Sequence, residues 1–586
     1  MELINKIIFT LFKSNLRVFI LLALIVFALY FKSLSFDFVA LDDYDLIVNK
    51  QHILRETKNI PLLFKTNLFM SESGAYYRPI VMISFMIDAL IGGKNPFVYH
   101  LSNVIYHLIS CFLLFVFLKN LTANNLKSFI LSLIFAIHPA LSQAIVWIPG
   151  RNDSLLFIFL SLSFITMIKS HTTSQKKKLG LLIISLTSFL IALLTKENAT
   201  LILLFITFYF IFLRDKEIDY KKIIRIFLLY SIPLIIYFSM RLTADVKSPE
   251  TENLIISIND YFKGIINYFG KIFIPVNLSV LTLPENINLV YGIISILIFS
   301  VLSLAGIRDI KIYAFGILWF LLFSISGMID LIGFTNFLDH RLYAPIVGVF
   351  ISLSQIKIFD RLKSEIIFLA FIVYSTSLIY MNINHTINFK DELTFYKSAV
   401  ETAPKSFFAH RGLANVYHRM KDYDLAEKHY RFSISLNPNS AETFLNLGIN
   451  FKKKGMLDSA ETYFIKSIEL NPELKTAYNN LGNLYLQNNL LDKAEFYLRR
   501  AIQINPTYFE AYNNLGVLYA KTGNDLLAYS HFKRSIEINP FFAEGYFNLA
   551  LYFFNKNQID SSYYFYQKAI QNGFPEKNIL SDKLKR

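Results

Sequence analysis

Long apolar segments recur through the first two thirds of the chain and constrain its fold more than any other feature. Backbone polar groups inside a lipid bilayer need internal partners, so segments of this length fold as helices. A hydrophobic content of 54% and a mean hydropathy of +0.42 agree with a polytopic all-α membrane domain. About eleven spans are predicted, at 17–35, 99–118, 127–148, 153–169, 178–195, 199–213, 222–241, 289–307, 311–329, 342–358 and 364–382.

Basic residues between these segments predict the topology. With the N-terminus inside, every cytoplasmic segment is basic, as the positive-inside rule requires. The net charge of +15 is thereby explained without a nucleic-acid partner. The single cysteine, Cys111, allows no disulfide within the chain. The basic groups are Lys6/Lys13/Arg17, Lys119/Lys127, Lys169/Lys176/Lys177/Lys178, Arg214/Lys216/Lys221/Lys222, Arg308/Lys311 and Lys357/Arg361/Lys363.

The opposite, outward face then collects two long loops, at about 36–98 and 242–288. In the first loop, residues from Pro79 to Leu90 predict an amphipathic or re-entrant helix. In the second, residues from Leu254 to Ile274 predict a helix lying along the membrane interface.

A 34-residue repeat follows the membrane segments. Pro404, Pro438, Pro472, Pro506 and Pro540 are equally spaced, and a Leu, a small residue and an aromatic residue recur in phase with them. This is the tetratricopeptide (TPR) period, which predicts an α-solenoid of paired helices. The predicted domains are 1–385 and 386–586, with repeats at about 407–440, 441–474, 475–508, 509–542 and 543–576. A helix at about 391–402 is expected to supply half of a preceding repeat.

Asparagines recur beside the Gly and Tyr positions of the repeats and predict a peptide-binding groove. Side-chain amides both donate and accept hydrogen bonds, so a row of them can hold an extended backbone of any sequence. The alternative is that Asn is merely the polar filler of this composition. The candidate groove residues are Asn446, Asn479, Asn483, Asn513 and Asn548.

Adjacent carboxylates follow the first apolar segment, at Asp42 and Asp43. Such a pair repels itself unless a cation, a substrate proton or a ligand takes up the charge. The alternative is a solvated acidic turn. A divalent metal at Asp42 and Asp43 stays possible and no other cofactor is implied, since no His, Cys or Glu spacing is typical of zinc.

Cations lie beside spans in four separate outward loops, at Arg78, Arg151, Lys196 and Arg341. A fixed cation suits a phosphate, and a lipid-linked phosphate would lie at this depth. His138 and His340 could donate to the same phosphate, whereas interfacial snorkelling is the alternative for the cations.

Several motifs together resemble the transmembrane and tetratricopeptide O-mannosyltransferase family, membrane glycosyltransferases of the GT-C fold. The resemblance covers essentially the whole chain and implies sugar transfer from a polyprenyl-phosphate donor to a Ser or Thr hydroxyl. It also implies that Asp42 or Asp43 is the base and that the motif cations bind the donor phosphate. The motifs are the acidic loop, Tyr77-Arg78-Pro79, residues 97–103, His138-Pro139, Gly150-Arg151-Asn152-Asp153, Thr195-Lys196-Glu197 and the repeat array.

The sequence thus predicts an inverting membrane glycosyltransferase whose repeats hold an exported protein or peptide acceptor. The predicted location is a bacterial inner membrane, or the endoplasmic reticulum in a eukaryote, with the repeats on the extracytoplasmic face. Two alternatives are a non-catalytic scaffold for exported proteins and a transporter of lipid-linked substrates. A transporter more typically buries its polar groups at mid-membrane, in broken helices.

Overall fold

The structure is a computed structural model that describes residues 14–39, 42–70, 74–122, 124–214, 220–244, 246, 258–281, 287–328, 338–358, 364–576, 579–581 and 583–584. The predicted basic positions Lys6, Lys13, Lys216, Arg361 and Lys363 lie outside these residues. The chain divides into two units, Met1–Pro404 and Lys405–Arg586. Both are helical, as predicted.

Each of the eleven predicted apolar segments contains a helix in the first unit. Polar side chains cap the N-termini of two of these helices: Ser14 accepts a hydrogen bond from the Leu16 N–H, and Asn124 accepts one from the Lys127 N–H. The longer helices of this unit are Asn15–Tyr30, Pro79–Gly92, Pro96–Thr122, Asn125–Ile137, Arg151–Ser170, Gln175–Leu193, Ile202–Phe208, Tyr220–Thr243, Ile258–Phe273, Leu289–Leu304, Ile310–Met328, Pro345–Ser354 and Ser364–Thr386.

Five of the described helical segments are long and apolar enough to cross a membrane: Asn15–Ser35, Pro96–Thr122, Ile148–Ser170, Ile223–Thr243 and Ile310–Met328. A bent pair of helices adds a sixth span if the pair is counted as a single span. The total of eleven spans stays a prediction.

The predicted span 127–148 is the bent pair. Its two halves, Asn125–Ile137 and Pro139–Val146, meet at 56°. Pro139 lacks the N–H that would continue the helix, and it restricts the preceding His138 to the extended backbone seen there. The bend leaves residues 138–150 as a chain of short turns, and all of them are buried.

Small residues let helices cross closely in this unit. A Cβ on Gly270 would lie 2.7 Å from the backbone nitrogen of Gly292, and the Gly316 and Gly348 positions face each other in the same way. Lipid tails are as apolar as these helices, so the hydrophobic effect does not drive helix association within a membrane. Close backbone approach instead gives extensive van der Waals contact between the helices. Side chains such as Leu24, Ile235 and Leu297 are instead mostly exposed, as expected for a lipid-facing surface.

Both helices predicted in the outward loops are present. Pro79–Gly92 buries Val81, Met82 and Phe85, and its exposed residues Ile87 and Ile91 are also apolar. The second helix is Ile258–Phe273, and the predicted residues 254–257 lie outside the described part of the chain.

The second unit consists of helix pairs, as the 34-residue period predicts. Buried Ala460, Ala494 and Ala528 recur at equivalent positions. The repeat glycines are sterically required, because a Cβ on Gly482 would lie 2.7 Å from Leu498 Cγ. Its helices are Phe407–Arg419, Tyr423–Leu436, Ala441–Lys453, Leu457–Leu470, Lys475–Gln487, Leu491–Ile504, Phe509–Lys521, Asp525–Ile538, Ala543–Asn555 and Ile559–Gln571.

The boundary between the units falls after Pro404, later than the predicted boundary at 385. That helix Glu392–Thr402 completes a preceding repeat stays a prediction, although the helix groups with the first unit. The reason is tertiary packing: Thr402 Oγ1 lies 2.8 Å from Ser279 Oγ, and the Asp37 N–H donates to the Lys390 carbonyl at 2.9 Å.

Candidate active site

The acidic loop is held by apolar anchors and backbone bonds. Leu46 and Ile47, in the turn Tyr44–Val48, are buried against the helix Pro79–Gly92 and its neighbours. The Leu46 N–H donates to the Asp42 carbonyl at 2.8 Å, so Asp42 begins the turn. The loop is therefore a packed structure and not a freely solvated acidic turn.

Asp42 is partly buried and carries a perturbed carboxyl. Removal from water raises its pKa to about 6, with the neighbouring Asp45 carboxylate adding to the rise and the Arg78 guanidinium opposing it. A carboxyl that titrates near neutrality can both accept and release a proton under working conditions. This is the property required of a general base.

Asp43 differs from its neighbour because it is fully buried and has a fixed partner. Its Oδ2 accepts a hydrogen bond from the Val39 N–H at 2.8 Å, whereas its Oδ1 has no hydrogen-bond partner among the described residues. Burial raises the pKa of Asp43 well above its usual range. Burial thus disfavours the charged form of Asp43, which suits a residue that shapes the loop.

Two ion pairs lie near this loop. Arg78 Nη2 is 2.9 Å from Glu197 Oε2, and Lys196 Nζ is 2.6 Å from Asp153 Oδ1. Arg78 interacts electrostatically with Lys196 as well as with Asp42. Motifs far apart in the sequence therefore converge on one charged cluster.

His340 and Arg341 join this cluster from the turn Asp339–Leu342. His340 Nε2 lies 3.9 Å from Asp153 Oδ2, and Arg341 interacts electrostatically with Lys196. Burial lowers the pKa of His340 well below its usual range, and three nearby cations lower it further. They are Lys196, Arg341 and Arg78. His340 is thus a neutral imidazole at pH 7.

Arg151 occupies a different environment from the other predicted phosphate ligands. It is fully buried, and its Nη1 is 2.6 Å from Asp88 Oδ2. It also donates to Asn103 Oδ1 at 2.8 Å, the Tyr99 carbonyl at 2.9 Å and Ser84 Oγ at 3.3 Å. These bonds use four of the five guanidinium N–H groups, so the contacts hold three segments together. A phosphate contact by Arg151 stays a prediction.

His138 lies at the bend between Ile137 and Pro139 and is fully buried. Its Nε2 is 3.1 Å from the Ile272 carbonyl, a contact that ties the bend to the helix Ile258–Phe273. Its predicted role at the phosphate is likewise untested by these contacts.

The predicted groove asparagines bond to one another across neighbouring repeats. Asn514 donates to Asn479 at 2.9 Å, and Asn548 donates to Asn513 at 2.9 Å. Asn446 donates in the same way to Asn415 at 3.1 Å. We call these contacts the asparagine ladder. Asn483 lies outside the ladder bonds and is partly buried.

Asp88, Glu197 and Trp147 are not among the site residues that the sequence predicts. An aspartate within an otherwise apolar helix was a usable signal for Asp88, because such a charge needs a buried partner. Glu197 follows Lys196 directly, and Trp147 is one of only two tryptophans. Among the described residues, no three His, Cys, Asp or Glu side chains are grouped closely enough to hold a metal ion.

The repeat region matches known families. Residues 407–440 and 476–508, and also 441–474, match the tetratricopeptide repeat, and residues 497–523 match the TPR repeat. Among solved structures, the chain is similar to MamA, with 27% identity and a TM-score of 0.24 over 27% of this chain and 94% of that chain. YrrB, described as a TPR protein with an unusual peptide-binding site, is 21% identical with a TM-score of 0.25. That match covers 32% of this chain and 96% of YrrB.

Curated relatives are protein O-mannosyl-transferases. TMTC2 of Mus musculus is 35% identical over 150 residues, which are 25% of this chain and 18% of that protein. TMTC3 of Homo sapiens is 31% identical over 188 residues, which are 31% of this chain and 20% of that protein. Tmtc1 of Drosophila melanogaster is 30% identical over 182 residues, which are 30% of this chain and 21% of that protein. The match thus spans about a fifth of each relative. The chain is similar to the protein O-mannosyl-transferases, as its motifs predict, and carries a tetratricopeptide repeat array.

Proposed function

We propose that this protein is a membrane glycosyltransferase that moves a mannose-like sugar from a polyprenyl phosphate to Ser or Thr hydroxyls of exported proteins. The observation that carries the proposal is that Arg78, Lys196, His340 and Arg341 converge from three distant segments, and that Arg78 also interacts electrostatically with Asp42. Similarity to protein O-mannosyl-transferases supports the same activity.

The charges in the cluster suit a phosphodiester donor. Three cations, Arg78, Lys196 and Arg341, are accompanied by the carboxylates of Glu197 and Asp153. A lipid-linked sugar phosphodiester carries one negative charge, which rises by one when the phosphate leaves. Preorganised cations stabilise charge that develops in a transition state.

The proposed reaction is a single displacement. The Asp42 carboxylate takes the proton of the acceptor hydroxyl while that oxygen attacks the anomeric carbon. The bond from the anomeric carbon to the phosphate oxygen breaks, and the configuration inverts. The lipid phosphate leaves with the bonding electron pair, and the cationic cluster stabilises it. Asp43 holds the loop that positions Asp42.

The acceptor would be held by the tetratricopeptide array. The asparagine ladder leaves amide donors and acceptors in each repeat, and backbone peptide groups pair with such amides without regard to sequence. Asn446, Asn479, Asn483 and Asn548 are the proposed contacts because each is partly exposed. Asn513 is only 6% exposed and is proposed to support its neighbours.

Mass spectrometry of glycopeptides from exported proteins tests the proposal directly. Cells with and without the gene should differ by single hexoses on Ser or Thr, and the wild-type gene should restore them. Identical glycopeptide profiles in the two strains, with the protein present at normal abundance, would contradict the proposed activity. They would favour the non-catalytic scaffold.

A further inference from the structure

Three buried polar atoms without hydrogen-bond partners lie around the His340 ring. They are Asp153 Oδ2, His340 Nδ1 and Trp147 Nε1, and the three side chains are 3–6% exposed. The His340 and Trp147 ring centroids are 5.2 Å apart, and His340 Nε2 is 3.9 Å from Asp153 Oδ2. An unsatisfied buried polar group destabilises the fold, so three such atoms around one ring favour a site that a polar ligand completes.

The three atoms come from separate segments that are each held in place. Trp147 lies in the buried turns after the bend at Pro139, and Asp153 lies in the first turn of Arg151–Ser170. The other carboxylate oxygen of Asp153 is fixed by Lys196 at 2.6 Å. The backbone N–H of His340 donates to Gln143 Oε1 at 3.3 Å. The unpaired atoms are therefore preorganised.

The chemistry of these atoms selects hydroxyl groups over phosphate. Asp153 Oδ2 is an acceptor and repels phosphate oxygens, whereas a hydroxyl can donate to it. Trp147 Nε1 is only a donor, and a hydroxyl oxygen can accept from it. The neutral His340 ring can do either. A carboxylate beside an indole and an imidazole thus matches neighbouring hydroxyls of a sugar.

We propose that Asp153, Trp147 and His340 form the subsite that binds the hydroxyls of the transferred sugar, next to the cations that bind its phosphate. This inference rests on the proposed function, because it names the part of the donor that these residues recognise. It assigns sugar selectivity to the turn around Trp147 and to His340. The ordinary rival is a buried water that bridges the three atoms.

Binding of two donor lipids to the full-length protein in detergent tests the subsite. The probes are polyprenyl phosphate and polyprenyl-phosphate mannose, and the variant is Trp147→Phe, which keeps an aromatic ring and removes the N–H. We expect the variant to bind the mannose form about fivefold to tenfold more weakly, as for one lost hydrogen bond, and the bare phosphate unchanged.

The other tryptophan supplies a matched control. Trp319, in the helix Ile310–Met328, donates to the Ala344 carbonyl at 2.9 Å, so its N–H already has a partner within the protein. Trp319→Phe loses an indole N–H as well, so its melting temperature should fall while its preference for the mannose form stays as in the wild type.

Deoxy-mannose donors make the test independent of any variant. Removing the recognised hydroxyl should weaken wild-type binding as much as Trp147→Phe does, and the two losses should not add. If Trp147→Phe keeps the full preference for the mannose form and no deoxy donor binds more weakly, the subsite is wrong while the proposed function stands. If the wild type binds neither lipid, the proposed function is overturned and this inference with it.

Discussion

The two adjacent aspartates have different environments, and this difference predicts different mutational effects. Burial disfavours the charged form of Asp43, and Asp43→Asn supplies a neutral amide of the same size whose oxygen can still accept from the Val39 N–H. We expect Asp43→Asn to keep sugar transfer within a few-fold of the wild type. Asp43→Ala, which removes this bond, should lose both activity and loop order. A loss in Asp43→Asn as large as that in Asp42→Asn would contradict this division of roles.

The raised pKa of Asp42 predicts how activity depends on pH. A general base works only when ionised, so kcat/KM should fall below the Asp42 pKa of about 6, by about tenfold per pH unit. The rate should level off above pH 7. A pH profile of transfer with a soluble peptide acceptor measures this, and Asp42→Asn should lack the acid limb. A flat wild-type profile between pH 5 and 7 would exclude Asp42 as the base.

Arg151 is predicted to stabilise the fold rather than to bind the donor. Arg151→Met leaves buried Asp88 with the Ser102 hydroxyl but without its cation, and breaking such an ion pair costs about 3–5 kcal/mol. We expect a marked fall in the melting temperature of the detergent-solubilised protein. Arg241→Met is the matched control and should have a smaller effect, because Arg241 bonds to the Ala75 carbonyl at 3.1 Å and to the Tyr237 hydroxyl, neither of which is a carboxylate. Unchanged melting of Arg151→Met together with weakened donor binding would restore the predicted phosphate contact.

The sequence shows which residues are unusual. It does not show as readily which residues they contact. Arg78, Lys196 and His340 stand out because charges beside apolar segments need a reason, and all three lie in the cluster. The role of Arg151 could not be read in this way. Its partner Asp88 lies in a distant part of the chain, and only tertiary packing brings the two together.

At the scale of elements, the repeats were the most predictable part of the fold. Each helix contacts mainly its neighbours, so the period alone fixes the architecture. The length and composition of helix Glu392–Thr402 suit a repeat helix, and the sequence could not predict its contact with Ser279 in the first unit. The bend at Pro139 was hidden within an apolar run of sufficient length for a span.

The asparagine ladder predicts two separable effects in the isolated array, residues 405–586. Asn513→Ala breaks the bond to Asn548, so the array should lose about 1 kcal/mol, or about 2–4 °C in melting temperature. Asn483→Ala should leave melting unchanged and weaken binding of an unstructured Ser/Thr peptide. Circular dichroism and fluorescence anisotropy measure the two effects. Full peptide binding by Asn483→Ala would return this asparagine to the role of polar filler.

For the whole molecule, the alternation of basic loops predicts that the array is extracytoplasmic. A cysteine at exposed Asn488 should react with an impermeant reagent in intact cells, whereas one at exposed Ser174 should react only after permeabilisation. The native Cys111 is fully buried and should contribute little background. Labelling of both positions, or of neither, in intact cells would contradict the predicted topology.

Transfer of mannose from polyprenyl-phosphate mannose to a Ser/Thr peptide, with wild type and Asp42→Asn compared at equal folded protein, tests the central claim most directly. Loss of a general base typically lowers turnover about 10²–10⁴-fold, and an isosteric amide should leave melting almost unchanged. We predict robust transfer by the wild type and a loss of that size in Asp42→Asn, with donor binding retained. No transfer by the wild type, or near-normal transfer by Asp42→Asn, would contradict a glycosyltransferase centred on this loop.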